Sequence, residues 1–316
     1  MAVWQELASN WPVRRSWRWT RAVRRDLRNG LLFVSPWLVG LSVFTLYPIF
    51  ASLYYSFTVY DIVSAPHFIG LTNYQDLLTN DPLFWQAVGN TLYYVLVAVP
   101  LYLCTALAVA LLLNMKIGGM AFYRTLFFLP SIVPDVASAM LWAWMLNPQF
   151  GLANALLRAL GLPTIGWLTD PKWSKPSLIL IGLWAFGSSM VIFLAALQDV
   201  PEALYEAAEL DGASPLRKIW NVTLPMITPT IFFNLVLGMI GAFQYFTTAF
   251  VLSQGNGGPA SSTLFYSLLL FNNAFSYFKM GYGSAMAWLL FAFVFFLTWV
   301  IFKSANRWVY YEGESG

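Results

Sequence analysis

One cysteine and one histidine in 316 residues leave little reactive chemistry to build with. Cys104 has no partner for an intrachain disulfide, and because it lies inside a long apolar run while His67, the sole imidazole, lies outside it, neither a Cys/His zinc site nor a Cys/His catalytic pair is expected. No Gly-x-x-x-x-Gly-Lys-Ser/Thr run occurs, so this chain cannot itself cradle the phosphates of ATP. A membrane-embedded acyl or glycosyl transferase would need clustered His, Asp or Glu at a membrane face, and a single histidine argues against that class. Charge is scarce as well. Asp, Glu, Lys and Arg make up 10% of the chain, against roughly 25% in soluble domains.

What fills the space is apolar. A hydrophobic fraction of 59% and a mean hydropathy of +0.63 mark an integral membrane protein. A spanning helix needs about 20 apolar residues, and six stretches are long enough: 31–57, 87–113, 122–146, 177–197, 225–252 and 281–302. The segment 262–275 is apolar but short and contains Asn272-Asn273, so it is expected to form an interfacial or re-entrant helix.

Lys and Arg set the orientation. With the amino terminus inside, thirteen of the seventeen basic residues are cytoplasmic, leaving Arg158, Lys172, Lys175 and Lys279 outside. Seven arginines lie between Arg14 and Arg28, interleaved with Trp11, Trp17 and Trp19, a pattern suited to an amphipathic segment on anionic headgroups. Nucleic-acid binding is the other reading of an Arg cluster, and its place beside a span favours a topology signal with aromatic anchors. The first apolar run follows this long basic tail without a small-residue cleavage site, so the first span is expected to stay attached. The expected domains are a cytoplasmic tail, 1–30, a six-helix membrane domain, 31–304, and a short cytoplasmic tail, 305–316.

Between Asp199 and Leu224 lie five of the fourteen acidic residues together with Arg217 and Lys218, whereas 178–197 and 227–252 carry no charge. A loop this polar sits in water. Asp199, three residues before Glu202, suggests a capping box with Pro201 in the first turn, Gly212 suits a left-handed stop, and Ser214-Pro215 restarts a helix. The expected product is a compact elbow, 199–224, with Glu206, Glu209, Asp211, Arg217 and Lys218 free to pair with charges on a partner.

The run Glu206-Ala207-Ala208, three residues, Gly212, nine residues, Val222, one residue, then Leu224-Pro225 resembles the EAA signature of permease subunits of binding-protein-dependent ABC importers. Leu197-Gln198-Asp199-Val200-Pro201, Gly257-Gly258-Pro259 and Asn147-Pro148-Gln149-Phe150-Gly151-Leu152 are similar to the carbohydrate-uptake branch related to maltose-type permeases. Val222 stands where the family usually has Ile. The resemblance covers about residues 33–302. It implies an all-α membrane protein of six transmembrane helices, the type I importer permease fold, with a cytoplasmic coupling helix between the fourth and fifth. It further implies a second homologous permease, two cytoplasmic ATPase subunits that hold the ATP and Mg²⁺, a solute-binding protein outside, and no cofactor on this chain. Glu206, Ala207, Ala208, Asp211, Gly212 and Arg217 fall on the ATPase-coupling motif.

Polar groups at bilayer depth point to the path. Asp135 lies eleven residues beyond Arg124, about 16 Å along a helix, in a segment broken by Pro130 and Pro134. An ionisable group there suggests a polar cavity, or else a carboxyl that is protonated or hydrogen-bonded to a neighbouring helix. Matching the family motif by motif brings Ser131, Asp135, Ser188, Phe243 and Gln244 to sugar-contacting positions, with Trp184 one turn from Ser188. Gln244 can equally bond another helix. The expected solute is an uncharged sugar or oligosaccharide. The alternatives are a permease for a non-sugar solute such as glycerol phosphate or an amino acid, or a membrane-embedded transferase.

Overall fold

The computed structural model describes residues 20–115 and 118–310. The chain divides into two compact units, with the boundary between Tyr54 and Tyr55.

The first unit is built on a single helical run that begins at Arg21 and, counted through to Ser56, is 36 residues long. Thr20 caps its start, the side chain accepting from the Val23 amide at 3.3 Å. Pro36 lies inside the helix, and a π-turn, Ser42–Leu46, interrupts it before it resumes at Tyr47. Arg21, Arg24, Arg25 and Arg28 therefore ride on the same helix as the first span. Trp11, Trp17, Trp19 and the three arginines before Arg21 lie outside the described residues, as does Lys116.

The second unit carries the other five spans. A two-stranded hairpin, Thr58–Val59 with His67–Phe68, leads in, and His67 is exposed on it with no metal-binding company among the described residues. Buried Asn73 holds the entry by donating to Ser56 O and Thr58 O, each at 2.9 Å. The second span, Pro82–Leu113, starts where Asp81 accepts from the Leu83 and Phe84 amides and Pro82 takes the first helical position. Its 32 residues extend about 48 Å, well beyond a hydrocarbon core of about 30 Å.

Three of the remaining spans are interrupted. The third runs Met120–Phe128 into a 3-10 turn, Leu129–Ile132, and then bends by 96° before Asp135–Met145. The cause is local: Val133 precedes Pro134 and takes the extended ψ of 127° that this position imposes. The fourth, Pro171–Leu183 and Gly187–Gln198, bends by 49°. The fifth, Thr228–Phe243 and Thr247–Ser253, is broken at 244–246. The sixth, Met280–Ala305, is continuous. Counting each bent pair as one, the described residues hold the six spans expected.

The second span is the axis of the core. Ala106 and Ala110, one turn apart and fully buried, form a small-residue strip that admits Met190 and Phe193 of the fourth span, with Leu113, Leu197 and Ile227 closing the cluster. Of the two forms expected for this segment, the interfacial one is not what is found, because it is wedged into protein. Its short helix, Tyr266–Phe271, buries Tyr266, Leu268 and Leu269 against Leu77, Phe84 and Met286. Tyr266 donates from its hydroxyl to Met286 O at 2.8 Å and from its amide to Thr91 Oγ1 at 2.9 Å, while Asn90 Nδ2 donates to Leu264 O at 3.0 Å. Its polar groups are satisfied by neighbouring helices rather than by headgroups.

Candidate functional site

The interruptions in the third and fourth spans meet. A β-carbon at Gly187 would stand 2.9 Å from Phe127 O, Phe128 Cα and Ser131 Oγ, so only glycine lets the restart of the fourth span lie on the broken third. Beside the fourth-span break is a cavity of about 380 Å³, walled by the second, fourth and fifth spans, within the roughly 300–1,000 Å³ range of small-molecule sites. Most of its wall is apolar, and the polar groups that reach it come from Tyr94, Tyr102, Ser188, Ser189, Asn234 and Tyr245.

These groups are held open for a visitor. The rings of Tyr94 and Tyr245 stack with centroids 4.3 Å apart, and Phe265 meets both edge-on. Tyr94 Oη comes within 3.0 Å of where a Gly182 side chain would begin, so that glycine makes room for the hydroxyl. Tyr245 Oη is buried and makes no hydrogen bond of acceptable geometry among the described residues. The hydroxyls of Ser188 and Ser189 have no hydrogen-bond partner among the described residues, and Asn234 spends its amide on Thr230 O at 2.9 Å, leaving Oδ1 without one. Unpartnered polar groups on a mostly apolar wall are the usual makings of a binding site.

Of the residues singled out in the sequence, Ser188 lines this cavity and Ser131 sits against its neighbour Gly187, with its hydroxyl donating to Phe128 O at 2.7 Å. Asp135, the first residue after the 96° bend, is exposed and within Coulombic reach of Tyr245. Trp184 packs edge-on against Trp142, centroids 5.9 Å apart, and does not line the cavity. Phe243 is 4% exposed and turned into the core against Val95, Val99 and Phe293, not toward a solute. Gln244 lines a separate cleft with Leu290, Phe291 and Thr298. The reason is rotational: at 100° per residue, the end of a helix sends consecutive residues to different faces, and it is Tyr245 that reaches the cavity. Tyr94, Tyr102 and Asn234 were missed because they lie in unbroken apolar stretches with no motif around them, and Tyr245 because its neighbours Phe243 and Gln244 were preferred to it.

The charged elbow is the second constellation. Its first helix, Glu202–Leu210, follows Pro201, which offers no side-chain cap; Asp199 instead ends the fourth span, its amide donating to Ala195 O at 3.2 Å. The expected capping box is therefore absent, because the span's last turn already claims Asp199. Gly212 takes φ +72°, the left-handed stop, with Ala213 N donating to Ala208 O at 2.9 Å. Ser214 then caps the next helix, Pro215–Lys218, by accepting from the Arg217 amide at 3.4 Å.

Two braces close the elbow. Lys218 Nζ donates to Glu209 Oε1 at 2.6 Å, and the hydroxyls of Tyr205 and Thr223 lie 3.0 Å apart. The Lys218 hydrogen bond, followed by its charge, holds the Glu209 carboxyl below the ordinary glutamate value of 4.5. Glu209 and Lys218, expected to await charges on a partner, are thus paired with each other. Glu206, Ala207, Asp211 and Arg217 are exposed and Ala208 is half-buried. Leu210 at 91% exposure, with Leu216 and Trp220, adds an apolar surface to the elbow that charge patterning gave no reason to expect.

Residues 84–310 match the family described as the binding-protein-dependent transport system inner membrane component. The probable ABC transporter permease protein YesP of Bacillus subtilis (strain 168) is 46% identical over 297 residues, covering 93% of this chain and 96% of its own length. The lactose transport system permease protein LacF of Rhizobium radiobacter is 37% identical over 285 residues, with 88% and 94% covered. A chain of a bacterial alginate ABC transporter, crystallised in complex with alginate pentasaccharide-bound periplasmic protein, matches with a TM-score of 0.79 over 93% of this chain and 98% of its own. At 22% identity that likeness is one of fold. Family match, relatives and fold agree with the glycine-stopped elbow and the interrupted spans: this chain belongs to the binding-protein-dependent transport system inner membrane components, the ABC importer permeases, which form the membrane path and do not hydrolyse ATP themselves.

Proposed function

We propose that this chain pairs with a second, homologous permease to enclose an alternating-access path for an uncharged sugar or oligosaccharide. The observation that carries the reading is the cavity beside the interrupted spans, where stacked tyrosines and unpartnered Ser188, Ser189 and Asn234 groups line an apolar wall. A sugar needs both: hydroxyls take donors and acceptors, and the apolar ring face packs on aromatic surface. The name of the lactose permease relative, LacF, points the same way. Ser131, Asp135 and Gln244 are assigned to the stretch of path facing the second permease.

An ionised carboxyl at Asp135 would argue against an anionic solute. Two ionised groups about 4 Å apart at an effective dielectric near 20 repel by about 4 kcal/mol, whereas a carboxylate accepts hydroxyl hydrogen bonds well.

In this reading each permease elbow seats one ATPase subunit, which supplies ATP and Mg²⁺, and a solute-binding protein delivers the sugar from outside. In this reading the chain lies in a prokaryotic inner membrane with both termini in the cytoplasm, an orientation that the thirteen-to-four distribution of basic residues supports. The test is ATP hydrolysis by the purified complex with its binding protein. Neutral sugars are expected to stimulate it, and stimulation by anions or amino acids alone overturns the assignment.

A further inference from the structure

The segment joining the third and fourth spans contains a short helix, Leu152–Ala159, whose apolar side is uncovered. Leu152, Leu156 and Leu160 recur every fourth residue and are 54%, 64% and 65% exposed, flanked by Phe150 and Leu162 at 59% and 51%. The opposite side is pinned. Asn154 is fully buried, donating from Nδ2 to Pro148 O at 3.1 Å and Ile165 O at 2.9 Å, and accepting at Oδ1 from Ile165 N at 3.1 Å and Trp167 Nε1 at 3.0 Å. All of that amide's usual bonds are made, so the helix cannot roll without breaking four of them. Two residues on, a rotation of about 200° turns Leu156 away from the pin.

Its height is fixed as well. Trp167 packs on Trp173 at 5.7 Å, and its carbonyl accepts from Ser177 Oγ at 2.8 Å, tying the loop to the first two turns of the fourth span. Trp144 ends the third span and Trp173 begins the fourth, 54% and 41% exposed, in the positions that aromatic residues take at a membrane–water boundary.

Charge decides what covers the stripe. The stretch 147–176 holds Arg158, Lys172 and Lys175 against Asp170 alone; Lys175 turns onto the second span, donating to Asn90 Oδ1 at 3.0 Å, and Arg158 and Lys172 remain exposed. Of the other two external stretches, 58–86 has Asp61, Asp76 and Asp81 and no Lys or Arg, and 253–279 has Lys279 alone. A basic segment with leucines on one side, held at the level of the span ends, fits anionic headgroups above and acyl chains beside it.

We infer that the Leu152–Ala159 helix lies in the outer face of the phospholipid bilayer, with Leu152, Leu156 and Leu160 at the acyl boundary, and that this stretch is a lipid anchor rather than a seat for the solute-binding protein. The test uses the assembled transporter in nanodiscs of phosphatidylethanolamine and phosphatidylglycerol, with Cys104→Ser and a nitroxide on Leu156→Cys, Leu152→Cys or, as a water-facing control, Thr164→Cys. Labels at 152 and 156 are expected to collide more with oxygen than with a water-soluble nickel chelate, the 164 label the reverse, and saturating binding protein is expected to change neither. Nickel access at both 152 and 156 overturns the inference, as does shielding of both from either reagent, which would show a second permease over the stripe, or shielding that arises only with binding protein.

Discussion

Single atoms decide two close contacts in the membrane domain. At Tyr245 the hydroxyl is the polar end of a stacked pair, so Tyr245→Phe keeps the ring contact with Tyr94 and removes one hydrogen-bonding group from the cavity. A neutral hydrogen bond contributes about 0.5–1.5 kcal/mol, so the uptake KM is expected to rise roughly two- to thirteenfold at unchanged expression, read from initial rates across solute concentrations; an unaltered KM removes Tyr245 from the path. Asp135→Asn and Gln244→Ala are expected to impair uptake while insertion and ATPase docking persist, and normal uptake by both takes them out of it. Gly187 is a packing requirement rather than a contact. Gly187→Val puts carbon 2.9 Å from backbone atoms of the third span, a clash expected to cost about 1–3 kcal/mol and to lower the thermal midpoint of the purified complex, with or without solute.

At the scale of elements, the elbow behaves as one bracket. Gly212 holds φ +72°, so Gly212→Val strains the stop, and Glu206→Lys inverts an exposed charge; each is expected to abolish uptake and weaken ATPase association while the subunit still inserts, measured by co-purification and transport. The Glu209–Lys218 brace has a defined pH sign. Because the folded carboxyl is lowered, its contribution is complete above the ordinary value of 4.5 and is lost as pH falls through the lowered value. Amide protection in 202–218, corrected for the intrinsic pH dependence of exchange, is thus expected to be flat from neutral pH down to about 4.5 and to fall below it, with Lys218→Met removing the step. Much of this bracket was legible in sequence, since Gly212, Ser214 and Pro215 act through local backbone preference. Asp199 was misassigned because two helices compete for it, and nearest-neighbour spacing cannot say which one wins. Likewise the bend at Val133-Pro134 follows from proline, whereas the breaks at 184–186 and 244–246 contain neither Pro nor Gly and are imposed by packing between spans. The cavity was half readable for the same reason: Ser188 stood out as polar in an apolar run, while Tyr94 and Tyr102 belong to an unbroken helix and gain meaning only from what faces them.

For the whole molecule, topology is the claim open to the most direct check. With Cys104→Ser as background, Ser214→Cys is expected to react with an impermeant maleimide only after the cells are permeabilised; labelling from outside would invert the orientation. The interrupted spans also bear on how such a chain divides its time between shapes. A span jointed near Trp184–Phe186 or Gln244–Phe246 can reorient one half by changing a few dihedral angles, so states open to either side of the membrane need differ by little in free energy. Near balance, about 1.4 kcal/mol moves their ratio tenfold. Conservative substitutions at the joints should therefore act as bias settings, altering how much ATP the complex burns without solute while leaving the cavity wall and the ATPase seat chemically intact.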